Sequence, residues 1–465
     1  MSETPLTVHP GPPLAGRFTP PGDKSVTHRA IVLALLAPGR SEIRGANPGA
    51  DCAATLECAA ALGLEVRARE GGTLRLEGRG FEIAEPGRVL DCGNSGTTLR
   101  LLAGVVASRP LLAVLAGDAS LNRRPVARII EPLRRMGAEL HARDADRFPP
   151  LVVRGAQLRP IRYALPVASA QVASCVLLAG LSAPGETEIT LPGPARDHTE
   201  RMLAACGVEL ERADLPDGGR RVAVRGPAAC RPLSLTVPGD FSAAAFFLAA
   251  AAAAPGARVT ACGVGLNPTR TGLLDVLEAM GAAVERRVGR EEGGEPVGEV
   301  TVTGPERLRA FDIPPAWVPR LIDEIPAWML AAAAAAGRSR LTGAGELRHK
   351  ESDRLAALAM NLGRLGLEAR ELPDGLEIEG GRARGGSVDA AGDHRIAMAF
   401  AVLATRAAGP VTVEDAASIA TSFPGFAATL GALGGVLEPG DPASAGPAAR
   451  SGSAAAPGGR ERRPR

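Results

Sequence analysis

Lys24, Ser25 and Arg29 stand in PPGDKSVTHRAIVLALLAPG, residues 20–39, with types and spacing that suit an anion. Pro21-Gly22 reads as a turn, Asp23 and Ser25 are helix N-cap types, Val26 to Ala37 is mostly apolar, and Pro38-Gly39 stops the run. A helix N-terminus offers unpaired N–H groups and partial positive charge, so it attracts anions and repels cations. Two cations set around such a start, with Ser25 and Arg29 four apart on one face, imply something strongly negative nearby. The chain supplies its own control. PGDFSAAAFFLAAAAAAPG, residues 238–256, repeats the turn, cap and stop, but Phe241 replaces Lys24 and Phe246 replaces Arg29. The shared residues therefore serve the fold, and the two cations are additions for chemistry.

Of 53 lysine and arginine residues only Lys24 and Lys350 are lysine. In a chain this rich in Ala, Gly, Pro and Arg, a lysine that persists marks a place for a compact, tunable ammonium that a planar guanidinium cannot replace. Lys350 lies in ELRHKESDRL, residues 346–355, the densest polar cluster, four residues from both Glu346 and Arg354 and next to Glu351. The plain reading of that spacing is a solvated helical face laced with ion pairs, against which the lysine scarcity argues.

Other stretches carry weaker signals. DCGNSGTTLR, 91–100, sets Gly93 and Gly96 at a helix start, where backbone can approach a ligand. Arg123 and Arg124 precede Pro125; Ser169, Ala170 and Gln171 combine a cap with an amide; Arg196 precedes a further helix. Asp323 and Glu324 sit in the apolar frame LIDEIPAWML, so at least one should cap a helix, meet a cation or do acid–base work. Arg395 follows Asp393 and His394 before another apolar helix; a structural role is the simpler one for the histidine.

The elements that must position these residues repeat. A helix end, a glycine and a strand recur around Gly63, Gly137, Gly207, Gly281, Gly366 and Gly434, which indicates six copies of an α/β unit. The offset between the two Pro-Gly-Asp helices pairs units one to three with four to six. Two domains follow: residues 24–237, and residues 1–23 with 238–439, with crossings near 20–24 and 237–241. Residues 440–465 read as a disordered tail.

The composition is that of a soluble globular protein, 45% hydrophobic and 22% charged. A net charge of +2 argues against a general nucleic-acid or membrane-surface binder. Seven cysteines without metal-type spacing read as reduced core thiols. The start lacks a secretory signal and no apolar run reaches membrane-spanning length, which places the protein in the cytoplasm.

PGDKSVTHRA, GNSGTTLR, NRRP, PVASAQVASCVLLAGL, RDHTERML, IDE, ELRHKESDRL and DHRIAMAF, in that order over about residues 8–437, closely resemble the 5-enolpyruvylshikimate-3-phosphate synthases. PVASAQV, RDHTE and IDE look more like the bacterial branch that includes glyphosate-tolerant members than the enteric one. The resemblance implies a two-domain inside-out α/β barrel of six βαβαββ-type repeats, three per domain, acting as a monomer without metal or organic cofactor. It implies transfer of the enolpyruvyl group of phosphoenolpyruvate to the 5-hydroxyl of shikimate 3-phosphate, with release of phosphate. Carried over residue by residue, it assigns Lys24, Ser25, Arg29, Ser169, Ala170, Gln171, Arg196, Asp323 and Lys350 to shikimate 3-phosphate. It assigns Lys24, Gly96, Arg124, Gln171, Arg354 and Arg395 to phosphoenolpyruvate. Asp323 is placed as acceptor of the hydroxyl proton, and Glu351 with Lys24 for proton delivery to C3. One departure is IATSFP, where some relatives carry a phosphoenolpyruvate-contacting lysine before Phe-Pro and this chain has Thr421 and Ser422.

Two other readings make different demands. An enolpyruvyl transferase acting on UDP-N-acetylglucosamine wants a reactive cysteine in a mobile loop, and only Cys92, in an expected strand, comes near. A non-catalytic anion-binding scaffold predicts no perturbed carboxylates.

Overall fold

The computed structural model describes residues 5–216 and 218–438. The expected tail, 440–465, lies outside the described residues. Six helices are almost wholly buried: Lys24–Leu36, Gly96–Ala107, Ala170–Gly180, Phe241–Ala252, Ile325–Ala334 and His394–Ala404. Beyond their polar starts they are apolar nearly all round, as helices enclosed on every side must be. Around them stand six sheets whose strands alternate between buried and solvated side chains, as in Thr73–Arg79 and Phe148–Arg154. Helices inside and sheets outside is the inside-out α/β arrangement.

The sheets share one topology: a parallel pair followed by two antiparallel pairings. In the fifth sheet the parallel partner is reduced to isolated bridges, Arg309 to Ala336 and Ile313 to Leu341. Each of the six recurring glycines follows a helix with φ between +76° and +113°, a conformation that side-chain-bearing residues avoid.

Strands are exchanged at the two Pro-Gly-Asp crossings. Ala15–Phe18, just before helix Lys24–Leu36, pairs in parallel with Arg258–Gly265. Ser234–Thr236, just before helix Phe241–Ala252, pairs in parallel with Pro38–Arg44. The crossings bond each other reciprocally: the N–H of Asp23 donates to Pro238 O and that of Asp240 to Pro21 O, both at 2.7 Å. Buried apolar side chains form two clusters, one drawn from residues 26–237 and one from residues 6–18 with 241–433. Among the described residues no helix is long and apolar enough to cross a membrane.

Candidate active site

Five of the six buried helices begin on a side-chain cap: Asp23, Ser95, Ser169, Asp240 and Asp393 each accept a backbone N–H of the first turn. Asp323 does not cap; it lies in a short 3-10 turn, Ile322–Glu324, that leads into helix Ile325–Ala334. Its carboxylate is thereby left to meet cations. The polar starts of these helices meet at a cavity of about 430 Å³ between the two apolar clusters. Every residue assigned above to either substrate lines it, together with Glu351. Ten lysine or arginine side chains face five carboxylates there, an excess of positive charge suited to a polyanionic guest.

On one wall Arg29, 5% exposed, donates to Ser25 O, Thr199 Oγ1 and Ser174 Oγ, and burial pulls its guanidinium down to about 10. Gln171 is fixed at both ends, accepting from Arg100 Nη1 at 2.7 Å and donating to Thr97 Oγ1 at 3.0 Å. Arg124 donates to Asn94 O and Oδ1 and to Ser120 Oγ, whereas Arg123 is exposed. Lys24 Nζ lies 2.9 Å from Asp51 Oδ2. Burial alone would lower the Lys24 ammonium, but Asp51 and Glu351 more than offset it and hold it raised.

The opposite wall is centred on Arg354, 1% exposed, whose guanidinium bonds Asp393 at 2.7 Å, Glu351 at 2.6 Å and Asp323 at 3.3 Å. Asp323 also pairs with Lys350 at 3.2 Å and, across the cleft, with Arg196 at 2.8 Å, while its backbone O accepts from Arg395. Glu351 faces Arg124 across the cleft at 3.6 Å, and its backbone O accepts from Ser120. Burial would raise both carboxyls, yet Lys350 and Arg196 hold Asp323, and Arg354 and Arg124 hold Glu351, well below the usual carboxylate range. Buried His394 is pulled down to about 3, by burial first and then by Lys24, so it is neutral.

The plain reading of a helical face for Lys350 and Arg354 does not hold. Lys350 closes the 3-10 turn Gly345–His349, Glu351 follows in a loop, and the helix begins at Arg354, capped by Asp353. They converge on shared partners: Lys350 and Arg354 both reach Asp323 Oδ1, and Glu351 bonds Arg354.

Asp51, Arg100, Asp240 and Arg270 also line the cavity and were not assigned to a substrate from the sequence. Arg100 was visible as the end of GNSGTTLR. Asp51 carried a faint signal, an acid opening an alanine-rich helix. Thr421 and Ser422 do not line the cavity; the Ser422 carbonyl accepts from Asn47. Among the described residues no cysteine lines the cavity. Cys92 is fully buried, and Cys58 beside it together with burial pushes its thiol well above the usual range. It is not the reactive loop thiol that the UDP-N-acetylglucosamine reading requires.

Comparison with known proteins agrees with this geometry. Residues 8–430 match the family model described as EPSP synthase (3-phosphoshikimate 1-carboxyvinyltransferase). The 3-phosphoshikimate 1-carboxyvinyltransferase of Acidithiobacillus ferrooxidans is 50% identical over 93% of this chain and 98% of its own. That of an Anaeromyxobacter species is 52% identical over 92% and 98%. The EPSP synthase structure from Acinetobacter baumannii superposes with a TM-score of 0.82 at 40% identity, covering 94% of this chain and 99% of its own. The enolpyruvyl transferase NikO from Streptomyces tendae, at 20% identity and a TM-score of 0.74, shares the fold. Eight motifs in order, a cation-lined cleft holding two depressed carboxylates, and these matches along nearly the whole chain together place the chain in the EPSP synthase family.

Proposed function

We propose that the cleft transfers the enolpyruvyl group of phosphoenolpyruvate to the 5-hydroxyl of shikimate 3-phosphate and releases phosphate, with the residues in the following roles. The observation that carries the reading is the single guanidinium of Arg354 bonded to both Asp323 and Glu351 in the wall of a cationic cavity. Two carboxylates at one site can move two protons, and an anion scaffold needs neither. Lys24, Ser25, Arg29, Ser169, Ala170, Gln171, Arg196 and Lys350 bind shikimate 3-phosphate; Lys24, Gly96, Arg124, Gln171, Arg354 and Arg395 bind phosphoenolpyruvate. Fixed cations around transferring and leaving phosphate oxygens stabilise the charge that builds there.

Asp323, ionised, accepts the proton of the 5-hydroxyl as that oxygen bonds to C2 of phosphoenolpyruvate. C3 takes a proton from Glu351, assisted by Lys24, which gives a tetrahedral adduct. The C2–O bond to phosphate then breaks as a C3 proton returns to the carboxylate, and the double bond is restored. The protein acts as a cytoplasmic monomer without nucleic-acid or membrane partners. Residues 24–237 form one domain and residues 1–23 with 238–439 the other. Mixing the protein with both substrates and measuring phosphate release tests the reading; release only with both present is expected, and none overturns it.

Gly96 supplies a narrower test. A Cβ there would lie 2.5 Å from Arg100 Nη1 and 3.7 Å from Arg124 Nη1. Gly96→Ala must therefore displace the Arg100 head that holds Gln171, on the phosphoenolpyruvate side of the cavity. Glyphosate competes with phosphoenolpyruvate in this family. We expect Gly96→Ala to raise the glyphosate inhibition constant more than the KM for phosphoenolpyruvate; equal changes in steady-state assays defeat the steric argument.

A further inference from the structure

Arg270 has none of the roles given above, yet its guanidinium ties together the starts of the two Pro-Gly-Asp helices. The residue is 2% exposed. Its Nη2 donates to Asp240 Oδ1 at 2.9 Å and Ser242 Oγ at 2.8 Å. Its Nη1 lies 3.1 Å from Asp23 Oδ2, donates to Ser25 Oγ at 3.3 Å, and stands 3.4 Å from His198 Nε2. Asp23 caps the helix that begins at Lys24, and Asp240 accepts the Lys24 backbone N–H at 3.1 Å.

The internal repeat shows what is special here. Asn47-Pro48 and Asn267-Pro268 are related loops, each leading to a helix. After the first, Asp51 holds the Lys24 ammonium; after the second, Arg270 holds the caps and Ser25. The Arg270 loop is itself anchored on both sides, with Asn267 Nδ2 donating to Asp197 Oδ1 in the other half at 2.8 Å and to Glu295 Oε2 in its own half at 2.9 Å.

A guanidinium has five N–H donors and no acceptor. Toward Ser25 it can only donate, so Ser25 Oγ is the acceptor of that bond. The hydroxyl proton of Ser25 is then free to point away from Arg270, and Ser25 lines the cavity. We propose that Arg270 is a positioning residue that presents the Ser25 hydroxyl as a donor to an anionic group of the acceptor substrate. The inference rests on the reading that shikimate 3-phosphate binds at Ser25.

Lysine at this position keeps the charge that Asp23 and Asp240 require but offers one point where the fork offers two. Equilibrium binding of shikimate 3-phosphate and steady-state kinetics with both substrates varied test the proposal on the full chain. Arg270→Lys is expected to raise the Kd and KM for shikimate 3-phosphate by about tenfold, the loss of one hydrogen bond to a charged group. The KM for phosphoenolpyruvate should stay within about twofold. Ser25→Ala should cost a similar factor, and the double variant no more than either single one, because Arg270 acts through Ser25. Additive losses near hundredfold, equal effects on both substrates, or a fall in kcat alone would overturn it, the last two being the marks of a purely structural arginine. Should Arg270→Lys not fold, Arg270→Gln combined with Asp23→Asn, which keeps a cap and removes a surplus charge, is read in the same way. Failure of the unaltered protein to bind shikimate 3-phosphate would refute the assigned binding site instead, whatever Arg270 does.

Discussion

Glu351→Gln is expected to lower kcat by about 10²–10⁴-fold, the range for loss of a positioned acid–base group, with KM for both substrates changed by less than about threefold. Glutamine keeps the shape of the side chain and can still face Arg354 and Arg124, but it cannot carry a proton to C3. The free carboxyl is held ionised by Arg354 at 2.6 Å and Arg124 at 3.6 Å, with Lys24 beyond, against a burial that would raise it. An ionised carboxylate is the wrong state for donating a proton. In the proposed assignment both arginines also bind phosphoenolpyruvate, so the arriving anion shares the cations that depress Glu351 and shifts it toward protonation. The group is thereby made an acid only when substrate is present. Folding should be little affected, since Arg354 keeps Asp323 and Asp393 as partners. Rapid-quench measurement of the first turnover, with KM values from steady state, checks this; kcat within tenfold of the parent would remove Glu351 from the proton path.

Much of the architecture was legible in the sequence because it repeats. The Gly63-type caps recur six times, and every one has the positive φ that requires glycine. Comparison of the two Pro-Gly-Asp helices separated Lys24 and Arg29 from the residues that merely start a helix. The partner of each exchanged strand was harder to see, although the equivalent crossings already group residues 1–23 with 238–439. Ala15–Phe18 pairs with a partner more than two hundred residues away, and no local pattern encodes a long-range pairing. The Lys350 loop was illegible for a related reason: four-residue spacing signals a shared face only where backbone is helical, and the Glu351-Ser352 stretch before the Asp353 cap is not. Arg270 was hidden by composition. In a chain whose cations are almost all arginine, one more carries no signal, and only the recurrence of Asn-Pro at 47–48 and 267–268 could have pointed to the loop that holds it.

The same composition gives the final prediction. Lys24→Arg and Lys350→Arg are each expected to reduce turnover by about an order of magnitude or more, the scale of a misplaced transition-state contact. The physical reason differs from tunable acidity in the case of Lys24, since Asp51 and Glu351 keep that ammonium charged. What lysine supplies is a compact head. The Lys24 side chain is 14% exposed and its Nζ is held 2.9 Å from Asp51 Oδ2, at the crossing where its own backbone N–H meets Asp240. A planar guanidinium there keeps the charge but needs more room and directs its donors along a fixed fork. Lys350 places a point charge 3.2 Å from Asp323, a carboxylate already shared by Arg196 and Arg354. A third guanidinium would compete with those two for the oxygen that must accept the hydroxyl proton. Both lysines line the cavity, so Tm should move by no more than about 1 °C, about 1 kcal/mol in a chain of this size. Single-turnover rates and thermal melts of the two variants decide the matter. Near-parental turnover in both would show that lysine scarcity marks nothing here, and a large drop in Tm with turnover intact would make both lysines structural.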